Sequence, residues 1–540
     1  MAKAPQYNGF MVRTRDSLPQ AVYTTAQVRE LDRIAIDERG MVGYELMCRA
    51  GQAAFTVLKE RWPDAHKVTV YCGAGNNAGD GYVLARLARA AGLSVRLEAV
   101  VPPTRLRGDA RLAWEDCRDA CVAVEPFDPG GTPEFVPDVI VDALLGTGLD
   151  RPVEGDFAEA VAHLNASCAP ILALDVPSGL DADTGRPHGD AVHATVTITF
   201  VGLKQGLFLG DAPDYRGDLE FSDLMVPPDV AFGMMPVLER LHPNVLRAAL
   251  PPRPRSSHKG SNGRVLLVGG GPGMSGAIRL AAEAALRVGA GLVYVATHRD
   301  SVATVMSGRP ELMCWAVEGA DDLEPLLELA DAVVLGPGLG CSDWSRALWS
   351  RVAGAAQPLV VDADGLNLLA EGRVERGNLL LTPHPGEAGR LLQRDAGAVQ
   401  SDRLGAVREL AERYRAAVVL KGACTLVAVP TDSVARAVVP RESASRTEPR
   451  AVTPADSRPE DRLAVSVCDY GNPGMATGGT GDVLSGVLGG LLAQLEDLPL
   501  AARAGVLLHA LAGDEAASGG ERGMVAGDLM PALRRWANPT

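Results

Sequence analysis

Two long stretches of the chain alternate short apolar runs with amphipathic segments, and this alternation constrains the fold more than any other feature. The first stretch begins near residue 68 and contains KVTVYCG, SVRLEAV and VPDVIVDALLG; the second begins at residue 264 with RVLLVGG and continues through AGLVYVAT and NLLLTPHPGE. Strands that alternate with helices in this way form parallel sheets covered by helices on both faces. The sequence therefore predicts an α/β fold in each stretch.

The composition changes between residues 226 and 258, where prolines recur in VPPDVAFGMMPVLERLHPNVLRAALPPRPRSSH. A proline-rich stretch between two α/β patterns is typical of a linker. We therefore expect two domains, residues 1–238 and residues 239–540. Within the second, the polar residues 431–464 are rich in Pro, Ser and Arg and are expected to form an exposed, mobile insertion.

The charge balance and the cysteine pattern limit the partners and the compartment. The 540 residues include 67 acidic and 52 basic side chains, and the net charge of −15 disfavours general affinity for nucleic acid or anionic membranes. The nine cysteines contain no C-x-x-C pair, and the segment MAKAPQYNGFMVRTR lacks the apolar core of a signal peptide. The apolar runs are too short to span a membrane. We expect a cytoplasmic protein with reduced thiols, which binds neither nucleic acid nor membrane.

A glycine-rich segment near the C-terminus, GNPGMATGGTGDVLSG, precedes an apolar run that predicts a helix. The first turn of such a helix presents unpaired N–H groups and the positive end of the helix dipole, so the loop is suited to a phosphate. Asp482 at the start of this helix has two interpretations. It either caps the helix or acts as an acid–base group beside the phosphate, and the sequence favours the second.

Three polar loops follow predicted strands of the first domain: NNAGD at residues 76–80, VDALLGTGLDRP, and LDVPSGLD. The carboxyl ends of parallel strands meet at one edge of a sheet, so these loops are expected to share a crevice. Asp142 and Asp175 each end an apolar strand, as a loop anchor or as a functional carboxylate. Asn77, Asp142 and Ser178 offer only oxygen donors, which suit a hard or alkali cation and not zinc.

Two segments, GAGNNA and GPGMSG, imitate the dinucleotide-binding fingerprint after a predicted strand. The fingerprint also needs an acidic residue at the end of the next strand, and neither SVRLEAVV nor LVYVATH supplies one. A conventional hydride-transferring Rossmann domain is therefore disfavoured.

In the second domain, LTPHPGEAGRLL places His384 and Glu387 after a strand, and VVLKGACT places Lys421 where it can contact a phosphate.

In this order, the segments resemble those of the bifunctional NAD(P)H-hydrate repair enzymes, over nearly the whole chain. RAG at residues 49–51, GAGNNAGDG, VDALLGTGLDRP, LDVPSGLDADTG and FVGLKQGL resemble the NAD(P)H-hydrate epimerase pattern. SHKGSNGRVLLVGG, GPGLG, DADGLN, LTPHPGE, KGACT and NPGMATGGTGD resemble the ADP/ATP-dependent dehydratase pattern. Ala78 stands where the family usually has glycine, and the insertion lengthens the second domain. The resemblance implies an N-terminal Rossmann-like three-layer α/β sandwich and a C-terminal ribokinase-like α/β domain.

The resemblance also implies a set of site residues. In the first domain the implied contacts to the hydrated nucleotide are Asn76, Asn77, Ala78, Gly79, Asp80, Gly146, Thr147, Gly148, Leu149, Asp150, Arg151, Pro152 and Asp175. The implied potassium ligands are Asn77, Asp142 and Ser178. In the second domain the implied contacts to the hydrate are Gly338, His384, Pro385, Gly386, Glu387, Ala388, Gly389, Arg390 and Asp482. The implied contacts to ADP or ATP, with magnesium, are Lys421, Gly422, Ala423, Cys424, Thr425, Asn472, Pro473, Gly474, Met475, Ala476, Thr477, Gly478, Gly479, Thr480 and Gly481.

The implied activity is repair of hydrated NADH and NADPH. The first domain would interconvert the R and S hydrates with Asp175 as acid–base, and the second would dehydrate the S-hydrate with Asp482 as general base. A homo-oligomer is also expected. Two alternatives remain open at this point: the second domain is a sugar or vitamin kinase, because GGTGD serves phosphoryl transfer equally well, or the first domain is a non-catalytic ligand-binding module.

Overall fold

The structure is a computed structural model that describes residues 12–129, 135–372, 374, 376–431 and 463–539. The chain divides into two compact units, Met1–Leu238 and Glu239–Thr540. Both contain parallel sheets and helices, which confirms the predicted α/β class. In the described part of the chain, no helix is long and apolar enough to cross a membrane.

The N-terminal unit is built on a seven-stranded sheet whose neighbours are all parallel, in the order β4-β3-β2-β5-β6-β7-β9. Strands β1 and β8 also form a parallel pair. The strands are β1 (Ala21–Tyr23), β2 (Lys67–Cys72), β3 (Ser94–Ala99), β4 (Val124–Pro126), β5 (Val139–Ala143), β6 (Ile171–Leu174), β7 (Val196–Phe200), β8 (Leu203–Lys204) and β9 (Asp218–Ser222). The helices are α1 (Thr25–Arg33), α2 (Gly43–Arg61), α3 (Asn76–Ala90), α4 (Gly108–Asp119), α5 (Asp156–Ala166) and α6 (Ala212–Tyr215).

Helices cover both faces of this sheet. Side chains of successive strand residues point to opposite faces, so the strands contribute apolar side chains to a core on each face. Val68 and Val70 pack in one core with apolar side chains of α2, α3 and α4. Tyr71 and Ile140 pack in a second core with side chains of α5. The unit is therefore a three-layer sandwich, as predicted.

The C-terminal unit has a sheet in the order β13-β12-β11-β14-β15-β16-β17-β18-β19-β10. Its neighbours are parallel except for β17–β18 and β18–β19, which are antiparallel. The strands are β10 (Leu238–Arg240), β11 (Arg264–Val268), β12 (Leu292–Thr297), β13 (Met313–Ala316), β14 (Ala332–Leu335), β15 (Leu359–Val361), β16 (Leu379–Leu381), β17 (Ala417–Leu420), β18 (Thr425–Pro430) and β19 (Leu463–Cys468).

The predicted insertion at residues 431–464 lies largely outside the described residues, at 432–462. Its C-terminal boundary is two residues too late, since β19 already begins at Leu463, which pairs with Pro430 of β18. The insertion therefore connects two antiparallel neighbours of the sheet.

The helices of this unit begin with α7 (Asn244–Ala249), α8 (Ser275–Arg287), α9 (Val302–Met306), α10 (Glu324–Leu329), α11 (Asp343–Ala353), α12 (Asp364–Glu371), α13 (Pro385–Leu392), α14 (Ala396–Ser401) and α15 (Arg403–Tyr414). They end with α16 (Thr480–Leu495), α17 (Leu498–Ala516) and α18 (Leu529–Trp536).

Helix α16 packs closely against α8 because two of its residues have no side chain. A Cβ on Gly486 would lie 1.9 Å from the carbonyl oxygen of Ala281, and a Cβ on Gly490 would lie 3.0 Å from the Cα of Ala285. All residues of the helix from Val483 to Ala493 are buried. Its position, and so that of the glycine-rich loop at its N-terminus, is fixed by the core.

Candidate active sites

A cavity of about 1320 Å³ opens at the carboxyl ends of the central strands of the N-terminal unit. The predicted residues that line it are Asn76, Asn77, Asp80, Gly146, Thr147, Gly148, Leu149, Asp150, Arg151, Pro152 and Asp175. The rule that parallel strands bring their carboxyl ends to one crevice therefore placed these loops correctly.

Two residues of the predicted contact set do not reach this cavity. The methyl group of Ala78 is fully buried in the hydrophobic core beside α2 and α4. A Cβ on Gly79 would lie 2.5 Å from the sulfur of Met47, so this position faces the same core. On helix α3, Asn76, Asn77 and Asp80 face the cavity, whereas the two positions between them face the core. The extra methyl of Ala78 therefore does not narrow the cavity.

Asp175 follows β6 and its carboxylate is held from two sides. Lys204 of β8, which is only 1% exposed, donates a hydrogen bond to Asp175 Oδ1, and Thr199 Oγ1 donates to the same oxygen at 3.2 Å. The lysine also donates to Phe200 O at 2.7 Å. The backbone of Asp175 has a φ of +66°, a strained value for a residue with a side chain. The carboxylate is therefore ion-paired and held in place at the cavity wall.

Two further carboxyls, Asp80 of α3 and Asp32 of α1, line the same cavity, and within the described residues neither has a hydrogen-bond or ion-pair partner. Burial raises the pKa of Asp80 well above its ordinary value, and the charges of Asp175 and Asp32 raise it further. Burial also raises the pKa of Asp32 to about 6, although Lys204 opposes this shift. The cavity therefore holds two carboxyls with raised pKa values beside the ion-paired Asp175.

Directly beneath the cavity lies the predicted cation site. Asp142 is fully buried and accepts hydrogen bonds from Ser178 N at 2.8 Å and from Ser178 Oγ at 2.6 Å. Burial raises the pKa of Asp142 to about 6 despite these hydrogen bonds. Asn77 Nδ2 donates to Leu145 O at 2.8 Å, while its buried Oδ1 has no hydrogen-bond partner among the described residues. The structure therefore brings the three predicted ligands together and leaves one oxygen unsatisfied.

In the C-terminal unit, Asp482 lies in the first turn of α16, after the glycine-rich loop. The N-cap residue of this helix is Gly479, with a φ of +95°, and it has no side chain to cap the helix. Within the described residues the carboxylate of Asp482 accepts no hydrogen bond, so the capping interpretation is not supported. Burial raises the pKa of Asp482 to about 6, and the charge of Asp362 adds to this shift.

Asp482 is surrounded by the ends of neighbouring strands. The ammonium of Lys421 lies 2.8 Å from Asp362 Oδ1 and 3.7 Å from Glu387 Oε2. Asp362 is 1% exposed and also accepts hydrogen bonds from Thr382 Oγ1 at 2.8 Å and Ser485 Oγ at 2.5 Å. Although burial opposes ionisation, the lysine and these hydroxyls hold the pKa of Asp362 below its ordinary value. The site therefore combines one fixed ion pair with a less stabilised carboxylate at Asp482.

The segment from His384 to Arg390 lies beside this ion pair, but not all of it faces the site. His384 is the N-cap of α13: its Nδ1 accepts the Gly386 amide at 3.0 Å, and its own amide donates to Glu387 Oε2 at 2.8 Å. Ala388 and Gly389 are buried in the core. Arg390 is exposed and donates to Asn367 Oδ1 at 2.5 Å. The residues of this segment that remain accessible to a ligand are therefore the first residues of α13 and Arg390.

Two loops flank Asp482, and both have a fixed backbone. Arg403 donates to the carbonyl oxygens of Leu420, Lys421 and Cys424, each at 3.2 Å, and so shapes the loop that follows β17. In the second loop, Asn472 Oδ1 accepts the amide of Gly474 at 3.0 Å. A Cβ at Gly478 would meet no atom within 4 Å, so this part of the loop borders open space.

Sequence reasoning did not identify three of these polar residues, Asp362, Lys204 and Asp32, as candidate site residues. Asp362 follows β15, and the strand-end rule applied to Asp142 and Asp175 would have found it. Lys204 sits in the FVGLKQGL segment, but a buried lysine cannot be identified without the fold. Asp32 lies on an ordinary amphipathic helix, where an acidic residue is usually solvated.

Two family models match the chain. One, described as YjeF-related protein N-terminus, matches residues 43–206, and the other, described as NAD(P)H-hydrate dehydratase, matches residues 265–447 and 459–535. The bifunctional NAD(P)H-hydrate repair enzyme Nnr of Coxiella burnetii is 46% identical over 522 residues, which cover 96% of this chain and 99% of the relative. The enzyme of the same name from Escherichia coli is 42% identical, covering 97% of this chain and 95% of the relative.

Among solved structures, the ADP/ATP-dependent NAD(P)H-hydrate dehydratase of Bacillus subtilis, co-crystallised with ATP and Mg²⁺, is 27% identical with a TM-score of 0.45. The similarity covers 54% of this chain and 95% of that chain. The full-length relatives and the two family matches agree with the family and the enzyme type expected from the motifs. The chain belongs to the family of bifunctional NAD(P)H-hydrate repair enzymes.

Proposed function

We propose that the cavity of the N-terminal unit interconverts the R and S epimers of hydrated NADH and NADPH, and that the site around Asp482 dehydrates the S epimer at the expense of ADP or ATP. The observation that carries the second assignment is the carboxylate of Asp482, which lies beside the phosphate-binding loop without a hydrogen bond within the described residues. A general base works best when its pKa lies near the working pH, and the pKa of Asp482 is raised to about 6.

In the dehydratase reaction, Asp482 takes the proton of the C6 hydroxyl of the hydrate while that oxygen attacks the terminal phosphorus of the nucleotide. The C6–O bond then breaks, with help from the lone pair of the ring nitrogen, and inorganic phosphate leaves. Loss of a proton from C5 restores the dihydronicotinamide. The amides at the start of α16 stabilise the charge on the transferring group. The loops of Lys421–Thr425 and Asn472–Gly481 hold the nucleotide.

The kinase alternative uses the same loop, but it predicts a stable phosphorylated product and gives the N-terminal unit no role. The full-length matches to bifunctional repair enzymes weigh against it. Magnesium would enter with the nucleotide phosphates, since Mg²⁺ usually needs only one or two carboxylates beside them. Asp362 and Asp364 are the nearest candidates, because both influence the pKa of Asp482.

In the epimerase reaction we assign an acid–base role to Asp175. Its position supports this role, because the carboxylate lines the cavity and is held there by its ion pair with Lys204. The residues of the Gly146–Pro152 loop and Asn76 surround the space that the substrate would occupy.

Potassium fits the site formed by Asn77, Asp142 and Ser178. The buried Asn77 Oδ1 lacks a partner, and a buried oxygen of this kind is costly unless something binds it. Together with a carboxylate and a hydroxyl it offers only hard oxygen donors. When bound, the ion would supply positive charge beneath the cavity and hold the loop after β5 in place.

The proposal also includes a cytoplasmic location and a homo-oligomer. All nine cysteines lie in the described part of the chain and are free thiols, as expected of a protein in a reducing compartment.

The test is to incubate the full chain with both hydrate epimers and either ADP or ATP. We expect the dihydronicotinamide absorbance to recover in full, with one phosphate released per hydrate and no phosphorylated organic product. The Asp175→Asn variant should consume the S epimer rapidly and the R epimer only as fast as it epimerises spontaneously. Accumulation of a phosphorylated product, or unchanged use of the R epimer by this variant, would contradict the proposal.

A further inference from the structure

The cavity of the N-terminal unit contains more acid–base groups than a single catalytic carboxylate requires. Asp32 comes from α1, Asp80 from α3, Asp175 from the end of β6, and Lys204 from β8. Four elements that are distant in sequence thus place three carboxyls and one amine in one cavity, whose lining also includes Asp109, Asp150 and Glu154. Among the described residues that line it, Lys204 is the one buried cation, so Asp32, Asp80 and Asp175 cannot all be paired with a buried positive charge.

The ammonium of Lys204 binds one of these three carboxyls, that of Asp175. This ammonium donates to Asp175 Oδ1, to Thr199 Oγ1 at 3.0 Å and to Phe200 O at 2.7 Å, which uses all three of its N–H groups. Asp175 is therefore the carboxyl that pairs with the buried ammonium. Asp80 and Asp32 share the cavity without an ion-pair partner in the described part of the chain.

Asp80 is the carboxyl most strongly driven to the neutral form. Burial is the main cause of its raised pKa; the negative charges of Asp175 and Asp32 add to the shift, and Lys204 opposes it. A neutral carboxylic acid can donate a proton, which an ionised one cannot. A neutral carboxylic acid close to an ion-paired carboxylate is a common arrangement for paired acid and base catalysis.

Epimerisation of the hydrate needs such a pair. The carbon to be inverted, C6, carries a hydroxyl and is bonded to the ring nitrogen N1, so it is a carbinolamine. A base that removes the hydroxyl proton lets the oxygen electrons form a C6=O bond while the C6–N1 bond breaks. The electrons of the broken bond go to N1, which must receive a proton. Rotation about C5–C6 and reversal of these steps then give the other epimer, with no net gain or loss of atoms.

We propose that Asp80 is a second catalytic residue of the epimerase, the general acid that protonates N1 while Asp175 deprotonates the C6 hydroxyl. This inference rests on the proposed function of the cavity and deepens it, because it replaces one acid–base residue by a pair with opposite protonation states. Reclosure returns the proton from N1 to Asp80 and the proton held by Asp175 to the carbonyl oxygen.

Asp32 has a separate task, as a positioning residue that acts through Asp80. The charges that act on Asp80 are those of Asp175, Asp32 and Lys204, and Asp80 in turn acts on the Cys48 thiol of α2. With a pKa raised to about 6, Asp32 is mostly ionised above neutrality, and its charge then helps to keep Asp80 protonated. Loss of this charge should let Asp80 ionise at a lower pH.

The experiment measures S-to-R conversion by the full chain without nucleotide, so that the dehydratase does not interfere. Asp80→Asn replaces a neutral acid by a neutral amide of the same size, so we expect its melting temperature to be unchanged or higher. Epimerisation should fall about 10²- to 10⁴-fold, the usual cost of losing an acid–base group. A folded Asp80→Asn variant with near wild-type epimerisation would overturn the proposal. If Asp175→Asn is inactive at the same time, the proposed function still stands.

The pH profile tests the acid role independently of the fold of that variant. Wild-type activity should decline as the pH rises through the raised pKa of Asp80, because the acid must be protonated. In Asp32→Asn this decline should begin at lower pH, whereas Asp109→Asn, which removes another carboxylate from the same cavity wall, should leave it in place. An alkaline decline that Asp32→Asn does not move contradicts the role of Asp80.

The fate of the C6 oxygen tests the ring-opening route. In ¹⁸O-labelled water, opening and reclosure keep the original oxygen on C6 in most inversions. A route through loss of hydroxide and return of water would replace that oxygen with one from solvent. Replacement in most inversions would overturn the proposal, and retention would support it.

Discussion

Replacement of Asp482 by asparagine separates a chemical role from a structural one, because the two roles predict opposite results. As a general base, aspartate accepts a proton and asparagine does not, and loss of a general base typically lowers the rate about 10²- to 10⁴-fold. As a helix cap, asparagine is about as good as aspartate. We therefore expect Asp482→Asn to bind nucleotide, to retain epimerisation and to lose dehydration of the S-hydrate by two to four decades.

The stability of the variant follows from the pKa of Asp482, which folding raises from 3.8 to about 6. An acid whose pKa is higher in the folded state is penalised when it ionises. The penalty is absent below pH 3.8, where both states are protonated, and complete above about pH 6. Two units correspond to at most about 3 kcal/mol. The variant should therefore be as stable as wild type below about pH 3.8, and up to about 3 kcal/mol more stable at pH 7.

The assay uses the S-hydrate with saturating ATP and follows recovery of dihydronicotinamide absorbance between pH 5 and pH 8. Wild-type turnover should rise with pH through about 6, since the base must be ionised, and the residual activity of the variant should lack this rise. Asp497→Asn is a matched control, because Asp497 caps α17 by accepting the amide of Leu500 at 2.9 Å and lies outside the site. It should dehydrate normally.

Near wild-type dehydration by Asp482→Asn would refute the reasoning and leave the glycine-rich loop as a binding site only. A variant that loses both activity and several kcal/mol of stability would contradict the burial argument. Normal nucleotide binding, measured by calorimetry, shows whether the loop itself is intact.

Three further predictions follow from the buried groups. Asp175→Asn leaves the buried Lys204 without its anion, so the N-terminal unit should lose about 3–5 kcal/mol of stability, measured by chemical unfolding, besides its epimerase activity; an unchanged stability would contradict the ion pair. Potassium should raise the melting temperature of the wild type relative to choline at equal ionic strength, and Asn77→Ala should abolish this difference because it removes Oδ1. An equal effect of potassium on the wild type and on Asn77→Ala would place the ion elsewhere. Asp362→Asn should destabilise the C-terminal unit by about 3–5 kcal/mol, since Lys421 loses its closest carboxylate at 2.8 Å, whereas the exposed Asp343→Asn should change stability little.

Much of the architecture could be predicted from local patterns. The α/β class follows from the alternation of apolar runs and amphipathic segments, and the division of the chain after Leu238 falls where the prolines recur. The strand-end rule located Asp142 and Asp175 and grouped the loops around one cavity. The predicted insertion boundary failed by two residues because Leu463 already pairs with Pro430, a pairing between positions far apart in sequence.

The side chains around each site were less accessible to sequence reasoning. Ala78 belongs to the cavity motif, yet its methyl points into the core, because adjacent helical residues face directions 100° apart. His384 was assigned to the substrate, but its ring accepts amides of its own helix as a cap. Asp32 gave no local signal at all, since only the fold brings α1 against the cavity.

The sequence by itself determined the fold class, the family and the loops that carry the chemistry, because these depend on residue type and local spacing. Only the tertiary structure decided which carboxyls have a shifted pKa. The pKa of Asp80 or Asp482 depends on burial and on charges such as Lys204 and Lys421, which come from distant parts of the chain. Protonation is set by three-dimensional distances and by exclusion of water, and neither quantity can be read from a local motif.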